Sequence, residues 1–73
     1  MIGMRDKNRI REFLNDLADR WEDDVIADWR FGQLMSNFND WLMYHGRDWF
    51  YMEEGRFMEY FDKYLEGIKN GGN

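Results

Sequence analysis

The sequence predicts an all-α fold, a compact three-helix domain. Three observations lead to this fold class: the chain has only 73 residues, it contains no proline, and its apolar residues recur three or four positions apart in three separate stretches. Proline interrupts helices, so its absence suits long helical segments. Apolar residues at the 3.6-residue period turn one face of each helix toward a shared core. The predicted helices cover residues 6–22, 29–44 and 53–69.

The first predicted helix, residues 6–22, carries one apolar stripe. Asp6 is the expected N-cap, because an Asp side chain accepts hydrogen bonds from the free N–H groups of a helix start. The stripe consists of Ile10, Phe13, Leu14, Leu17 and Trp21. The opposite face carries an acidic ridge of Glu12, Asp16, Asp19 and Asp23. Arg20 lies one turn after Asp16 and is expected to offset it.

A short linker, residues 23–28, follows the first helix. Asp23 and Asp24 are unfavourable at a helix C-terminus, where the helix dipole favours cations, so we expect the helix to end before them. Val25 and Ile26 are apolar residues within this polar segment. We therefore expect them to attach the linker to the core.

The second predicted helix, residues 29–44, has Asp28 as its expected N-cap and Gly46 as its C-terminal stop. Its apolar stripe consists of Phe31, Leu34, Met35, Phe38, Trp41 and Leu42. Gly32 lies inside this helix at a cost of about 1 kcal/mol relative to Ala. We favour the interpretation that another backbone or a Trp ring packs closely against Gly32 and Ser36. The alternatives are easier entry into the helix, or room for a ligand.

The third predicted helix, residues 53–69, follows a short aromatic connector. The connector, residues 47–52, is expected to be extended or a single turn. Two glutamates then begin the helix, where the dipole favours acidic side chains. Its apolar stripe consists of Phe57, Met58, Phe61, Tyr64, Leu65 and Ile68. The single domain is therefore predicted to span residues 1–69, with a disordered tail over residues 70–73.

The composition argues against several classes of chemistry. The chain has no cysteine and one histidine, so thiolate metal sites, histidine metal sites and Ser/Cys–His catalysis all lack parts. We expect His45 to interact with the C-terminal end of the second helix. We predict a protein that is not an enzyme and has no metal or cofactor. It lacks a signal-peptide core and a membrane span, which predicts a cytoplasmic location.

A polar stripe of Arg30, Gln33 and Asn37 borders the apolar face of the second helix. One interpretation is structural: Arg30 lies over an aromatic ring and pairs with an acid, while the amides bond loop carbonyls. The other is recognition, because a guanidinium and two amides supply directional donors to a partner.

Four aromatic residues lie away from the centres of the core stripes: Trp29, Trp49, Tyr51 and Tyr44. They either cap the edges of the core or bind a partner. The leading prediction is an interaction protein that binds a protein partner, with a homodimer as a variant.

Three segments resemble a family of small uncharacterised bacterial and phage proteins. They are Asn8-Arg9-Ile10 with Trp21, Asp28 to Met35 with Asn37, and Asp48 to Glu54 with Phe57. The family pattern joins an Arg-(Phe/Leu)-Gly-Gln-Leu motif to a Phe-Tyr-x-Glu-(Glu/Asp) motif, and the resemblance covers about residues 8–66. It implies a bacterial or phage origin and a shared three-helix fold, and it transfers no catalytic residue. Trp29 and Trp49 stand where the family commonly has other residues.

The net charge of −5 is distributed unevenly along the chain. Residues 1–11 carry +3 and the remaining 62 residues carry −8. This balance argues against direct nucleic-acid binding, which needs a basic face. Together with the phage-like resemblance, it suggests an alternative function. The acidic ridge would then imitate nucleic-acid phosphates in the basic channel of a host nuclease, as in an anti-CRISPR-like anti-defence inhibitor.

Overall fold

The computed structural model describes residues 6–71 and contains three α-helices. They are α1 (Asn8–Trp21), α2 (Phe31–Tyr44) and α3 (Glu54–Gly71), with a 3₁₀ turn (Trp49–Tyr51) between α2 and α3. No residue of the described range is in a β-strand. The predicted all-α, three-helix fold is therefore confirmed. Within residues 6–71, no helix combines the length and the apolar character needed to cross a membrane.

Two helix ends follow the local signals in the sequence. α1 begins at Asn8 and the residue in its N-cap position is Lys7, so the predicted cap at Asp6 lies one residue too early. The Asp6 carboxylate nevertheless accepts a hydrogen bond from the N–H of Asn8 at 2.9 Å, which is the kind of contact expected of a cap. Gly46 has a φ of 75°, in the left-handed region that glycine adopts without strain. The N–H of Arg47 then bonds the carbonyl of Leu42 at 2.8 Å. This six-to-one hydrogen bond ends α2 in a Schellman motif.

The start of α2 differs from the prediction. Asp28 does not cap it, because the helix begins at Phe31 and the residue in the N-cap position is Arg30. Arg30 is extended, with a ψ of 154°, and its side chain makes no capping hydrogen bond. The preceding chain turns instead, with the N–H of Trp29 bonded to the carbonyl of Ile26 at 3.0 Å. This turn is held by a fully buried Ile26, so Trp29 stays outside the helix.

The helix α3 extends two residues beyond its predicted end. Asn70 and Gly71, expected in the tail, are helical, while residues 72–73 of that predicted tail lie outside the described residues. The ammonium of Lys69 lies 2.8 Å from a carboxylate oxygen of Asp23 in the linker. This contact joins the last turns of α3 to the end of α1, which favours continuation of the helix.

The helices α1 and α3 lie side by side and run in the same direction. Contacts between the two segments ascend together along both, in the pairs Arg9–Glu54, Phe13–Phe57, Arg20–Asp62 and Asp23–Lys69. Parallel neighbours place like ends of two helix dipoles together, which is unfavourable. The three ion pairs offset this cost, because each joins a cation on one segment to a carboxylate on the other.

The core is centred on α2 and α3 and is strongly aromatic. Its buried members are Leu17, Ile26, Leu34, Phe38, Leu42, Met58, Phe61, Tyr64 and Leu65. Phe38 is fully buried, and the rings around it belong to Trp41, Trp49, Phe57, Phe61 and Tyr64. Burial raises the pKa of the Tyr64 hydroxyl, and the nearby Asp40 carboxylate adds to the rise.

Several residues of the predicted apolar stripes lie outside this core. Ile10 and Leu14 of α1 are 49% and 54% exposed, and Phe31 at the start of α2 is 54% exposed. Val25 was expected to attach the linker to the core together with Ile26, but it is exposed. Of these two residues, only Ile26 attaches the linker. The physical reason is that α1 packs mainly on α3 and hardly touches α2. Two of the five residues in its apolar stripe, Ile10 and Leu14, therefore have no helix opposite them.

Truncation of Phe38 should destabilise the protein severely. We expect Phe38→Ala to lower the free energy of unfolding by about 3–5 kcal/mol, because it removes the ring on which the core is built and leaves a cavity. The measurement is urea unfolding followed by far-ultraviolet circular dichroism. Phe38→Leu keeps most of the apolar volume and should retain a cooperative transition.

Phe31→Ala is the matched control, since it removes the same side chain from an exposed position of the same helix. Its expected cost is about 1 kcal/mol or less. Equal losses for the two Ala variants would contradict the placement of Phe38 at the centre of the core.

Candidate interaction surface

The polar stripe of α2 is exposed. Arg30, Gln33 and Asn37 all face solvent, and their side chains form no hydrogen bond or ion pair with any other residue of the described range 6–71. The aromatic, acidic and carbonyl partners of the structural interpretation are therefore not engaged. Helical spacing continues the line from Gln33 and Asn37 to Tyr44, which is 87% exposed. This face of α2 thus presents solvent-exposed donors without a protein partner in residues 6–71, together with one aromatic ring.

Gly32 does not mark a close helix contact. A Cβ built at Gly32 would meet nothing within 4 Å, and Ser36 one turn later is exposed. The predicted close packing is wrong, because neither α1 nor α3 covers this side of α2. Gly32 is the second residue of the helix, a position in keeping with the alternative of easier helix entry.

Both candidate tryptophans, Trp29 and Trp49, pack against the core. The ring of Trp49 packs against those of Phe38 and Phe57, with centroid distances of 6.2 and 6.0 Å. Trp29 packs against the core as well, and its carbonyl accepts a hydrogen bond from the indole N–H of Trp21 at 3.2 Å. Both rings therefore cap core edges, and only their outer parts reach solvent.

The 3₁₀ turn presents two other rings to solvent. Phe50 and Tyr51 are 77% and 80% exposed, and they touch each other edge to face at a centroid distance of 4.8 Å. The Asp48 carboxylate accepts the N–H of Phe50 at 3.0 Å, which fixes the turn. Tyr51 was predicted as a candidate and Phe50 was not. The signal for Phe50 was available, because it belongs to no helical apolar stripe.

Basic, acidic and aromatic side chains line a groove beside Tyr51. A groove of about 390 Å³ is lined by Gly46, Arg47, Asp48, Tyr51, Met52, Glu53, Arg56 and Tyr60. The Arg47 guanidinium lies over the Tyr60 ring at 5.5 Å, and that of Arg56 bonds Glu59 at 3.0 Å, which raises the pKa of Arg56. We call Arg47, Phe50, Tyr51, Arg56 and Tyr60 the connector surface. Its rings and guanidinium groups suit contacts with another protein.

The acidic ridge is divided by the fold. Glu12, Asp16 and Asp19 are exposed and form no ion pair within the described part of the chain. Asp23 is instead structural. Its two carboxylate oxygens accept bonds from Lys69 at 2.8 Å and from the N–H of Val25 at 3.0 Å, and these contacts lower the pKa of Asp23.

Arg20 pairs with α3 rather than with the ridge. Its Nε donates to the carboxylate of Asp62 at 2.6 Å, and this hydrogen bond is the main reason that the pKa of Arg20 is raised. One of its terminal nitrogens donates to the main-chain carbonyl of Asp16 at 2.9 Å. The nearby Asp16 carboxylate also helps to raise the pKa of Arg20, but less than Asp62 does, which fits the slight offset expected from the sequence. The ion pair itself is formed with the two carboxylate oxygens of Asp62.

His45 lies at the C-terminal end of α2, with Nδ1 2.8 Å from the carbonyl of Trp41. Its ring also packs against that of Trp41, at a centroid distance of 4.3 Å. This is the helix-end role expected from the sequence. Among residues 6–71, no group of three or more His, Cys, Asp or Glu side chains is arranged to hold a metal ion.

The predicted partner-binding residues do not form one cluster. Arg30 and Gln33 lie at the start of α2, whereas Trp49 and Tyr51 follow its end. A helix of 14 residues is about 21 Å long, so a single small ligand does not reach both groups. The candidate residues belong to two surfaces, the outer face of α2 and the connector surface.

Comparisons of the chain with protein-family models, with curated proteins and with solved structures find no match. The resemblance to small bacterial and phage proteins therefore stays a prediction.

Replacement of Gly32 should stabilise the protein. We expect Gly32→Ala to raise the free energy of unfolding by about 0.5–1 kcal/mol, because Ala restricts the unfolded chain and its Cβ has open space. Gly46→Ala is the contrasting variant and should cost about 1 kcal/mol, because of its left-handed backbone. Urea unfolding measures both. A destabilised Gly32→Ala variant would show a close contact at this site.

The ion pair between Asp23 and Lys69 should make stability depend on pH. The pKa of Asp23 is lowered in the folded protein. Its contribution is therefore complete well above about pH 4, the range of an unfolded Asp, and is lost as the pH falls through the folded value. We expect wild type to be more stable than Asp23→Asn at pH 7 and equally stable near the acid end of the titration.

The measurement is the urea midpoint of both proteins across this pH range. Asp24→Asn is the control, because Asp24 is exposed and joins no ion pair among the described residues. A constant difference between wild type and Asp23→Asn down to the lowest pH would contradict the ion pair.

Proposed function

We propose that this protein is a small acidic, non-enzymatic helical interaction protein of bacterial or phage origin that binds a protein partner in the cytoplasm. The observation that supports it most is the exposure of Phe50 and Tyr51, at 77% and 80%, on the connector surface. An aromatic side chain buries roughly 150–250 Å² when it is covered. Two neighbouring rings in solvent therefore offer a large gain on binding.

The connector surface is held in place before any partner arrives. Trp49 anchors the 3₁₀ turn to the core through Phe38 and Phe57, and Asp48 caps the same turn. A rigid surface loses little conformational entropy on binding, so more of the contact energy appears as affinity. The backbone that carries the two neighbouring exposed rings is thereby held against the core.

Guanidinium groups supply direction at this surface. Arg47 lies over Tyr60 and is exposed, and Arg56 lines the same groove. Tyr and Arg are the residue types that dominate the binding energy of protein interfaces. The best-fitting partner is a protein segment that combines apolar side chains with carboxylate or carbonyl acceptors.

The outer face of α2 is the second part of the proposed surface. Gln33, Asn37 and the exposed Tyr44 lie along it, and Arg30 precedes it. Their donors have no partner in the described part of the chain, so a bound protein satisfies them without breaking internal bonds. This face contributes specificity rather than the main apolar contact.

The test is affinity capture of partners from a bacterial lysate with folded variants. The double variant Phe50→Ala/Tyr51→Ala should capture little of the partner. The triple variant Arg30→Ala/Gln33→Ala/Asn37→Ala should capture it more weakly than wild type. Val25→Ala/Phe31→Ala removes two other exposed apolar side chains and should leave capture intact. Equal capture by the connector variant and wild type overturns the proposal, and equal loss in all variants indicates non-specific adsorption.

A second candidate is an anti-defence inhibitor that mimics nucleic acid. The observation in its favour is that three carboxylates of the ridge, on Glu12, Asp16 and Asp19, are exposed without an ion pair in residues 6–71. Binding to a basic nuclease channel would weaken steeply with salt, whereas aromatic docking depends little on it. Asp16→Lys/Asp19→Lys should abolish mimicry and leave docking through the connector surface nearly unchanged.

A further inference from the structure

One side of α1 carries Ile10, Leu14, Ala18 and Trp21 at helical spacing, and we call these four residues the α1 face. Trp21 packs partly against the core, whereas no other described element covers the first three. Ile10 and Leu14 are half exposed, and Ala18 is exposed. Two shallow grooves, of about 460 and 240 Å³, lie along the face, one beside its first half and one beside its second half.

The α1 face is a consequence of how α1 packs. Leu17 is buried and Phe13 meets Phe57 of α3, so these two residues point α1 toward α3. Phe31 of α2 touches the ring of Trp21 at a centroid distance of 5.7 Å and is itself 54% exposed. It therefore lengthens the exposed apolar face instead of covering it.

Basic and acidic residues lie at opposite ends of the rim of the α1 face. Lys7 and Arg11 line the groove at the start of the helix, and Glu22 lines the groove at its end. None of the three forms an ion pair within residues 6–71. The other flank of α1 differs, because Arg9 and Arg20 there pair with carboxylates of α3.

This arrangement is unfavourable in the isolated chain. The start of a helix favours acidic side chains and its end favours basic ones, but Lys7, Arg11 and Glu22 have the reverse order. Arg9 is also a cation at the helix start, and its ion pair with Glu54 of α3 offsets that position, whereas Arg20 in the last turn is favourably placed. No such compensation exists inside the described chain for the three residues at the rim of the α1 face.

We propose that the α1 face binds a second copy of this chain, with the two α1 helices antiparallel about a two-fold axis. A two-fold interface must be self-complementary, because the same surface serves on both copies. The antiparallel arrangement places Lys7 and Arg11 of each copy beside Glu22 of the other. It also sets the two helix dipoles in the favourable opposed orientation.

The direction of the two helices follows from the charges. A parallel pair would bring the basic starts together and the acidic ends together, which is repulsive. Ala18 is small and lets the two backbones approach near the middle of the face, while Ile10 and Leu14 supply apolar contact. One face of a 14-residue helix buries less surface than the roughly 1,600 Å² of a standard protein–protein interface. The dimer should therefore dissociate on dilution.

The test is sedimentation equilibrium of the purified chain over a wide range of concentration at low salt. The apparent mass of wild type should rise to twice the monomer mass as the concentration increases. Leu14→Glu places a charge in the centre of the face and should stay at the monomer mass. Its fold is checked by circular dichroism, and it should be retained because Leu14 is half exposed.

Charge reversal tests the antiparallel arrangement itself. Lys7→Glu/Arg11→Glu should be monomeric, because its helix start is then repelled by Glu22 of the other copy. Glu22→Lys should be monomeric for the converse reason. An equal mixture of these two variants should recover the doubled mass, since every facing pair is then of opposite charge.

Each remaining outcome would overturn the proposal. Wild type that stays monomeric at every concentration shows that the second copy is not the occupant of the face. A dimer that survives Leu14→Glu lies on another surface, such as the connector surface. A wild-type dimer whose charge variants do not recover on mixing has a different orientation.

Discussion

The packing of aromatic rings around Phe38 is the constraint on which the rest of the structure depends. A chain of 73 residues has little interior, and here the interior is concentrated where α2, the 3₁₀ turn and α3 meet. Phe38 is fully buried and its neighbours come from all three elements. Because these rings need edge and face contacts with one another, they set how α2 and the turn lie on α3. The remaining element, α1, is added to this unit from one side.

The way α1 packs on α3 explains where the ion pairs of α1 lie and why some of its apolar residues are exposed. α1 lies parallel to α3, so their dipoles repel, and ion pairs such as Arg20–Asp62 compensate along one flank. Few apolar residues are needed for this contact, and Leu17 is the only buried residue of α1. The other flank keeps its apolar residues and its reversed charges without a partner in the described chain. One side of α1 thus holds the helix on α3, while the other side keeps an exposed apolar surface.

The connector surface arises from the same core. Trp49 uses its ring to anchor the turn beside Phe38, and a 3₁₀ turn directs successive side chains to different sides. Once Trp49 points inward, the next two rings, Phe50 and Tyr51, point outward. The sequence pattern predicts Trp49 and Tyr51 alike as partner-binding residues. It does not single out Phe50. Composition indicates an aromatic surplus, but only the turn geometry separates the anchor from the rings that remain exposed.

The sequence by itself determined the features that depend on neighbouring residues. They are the three helices, the stop at Gly46, the capping contact of Asp6 and the core faces of α2 and α3, because helical period and backbone preference are local properties. The tertiary structure decided how much of each apolar face is covered. Ile10, Leu14 and Phe31 match the period yet remain half exposed, and Gly32 has no close neighbour. The reason is physical: a period states which side of a helix is apolar, whereas coverage depends on the distance and direction of another helix.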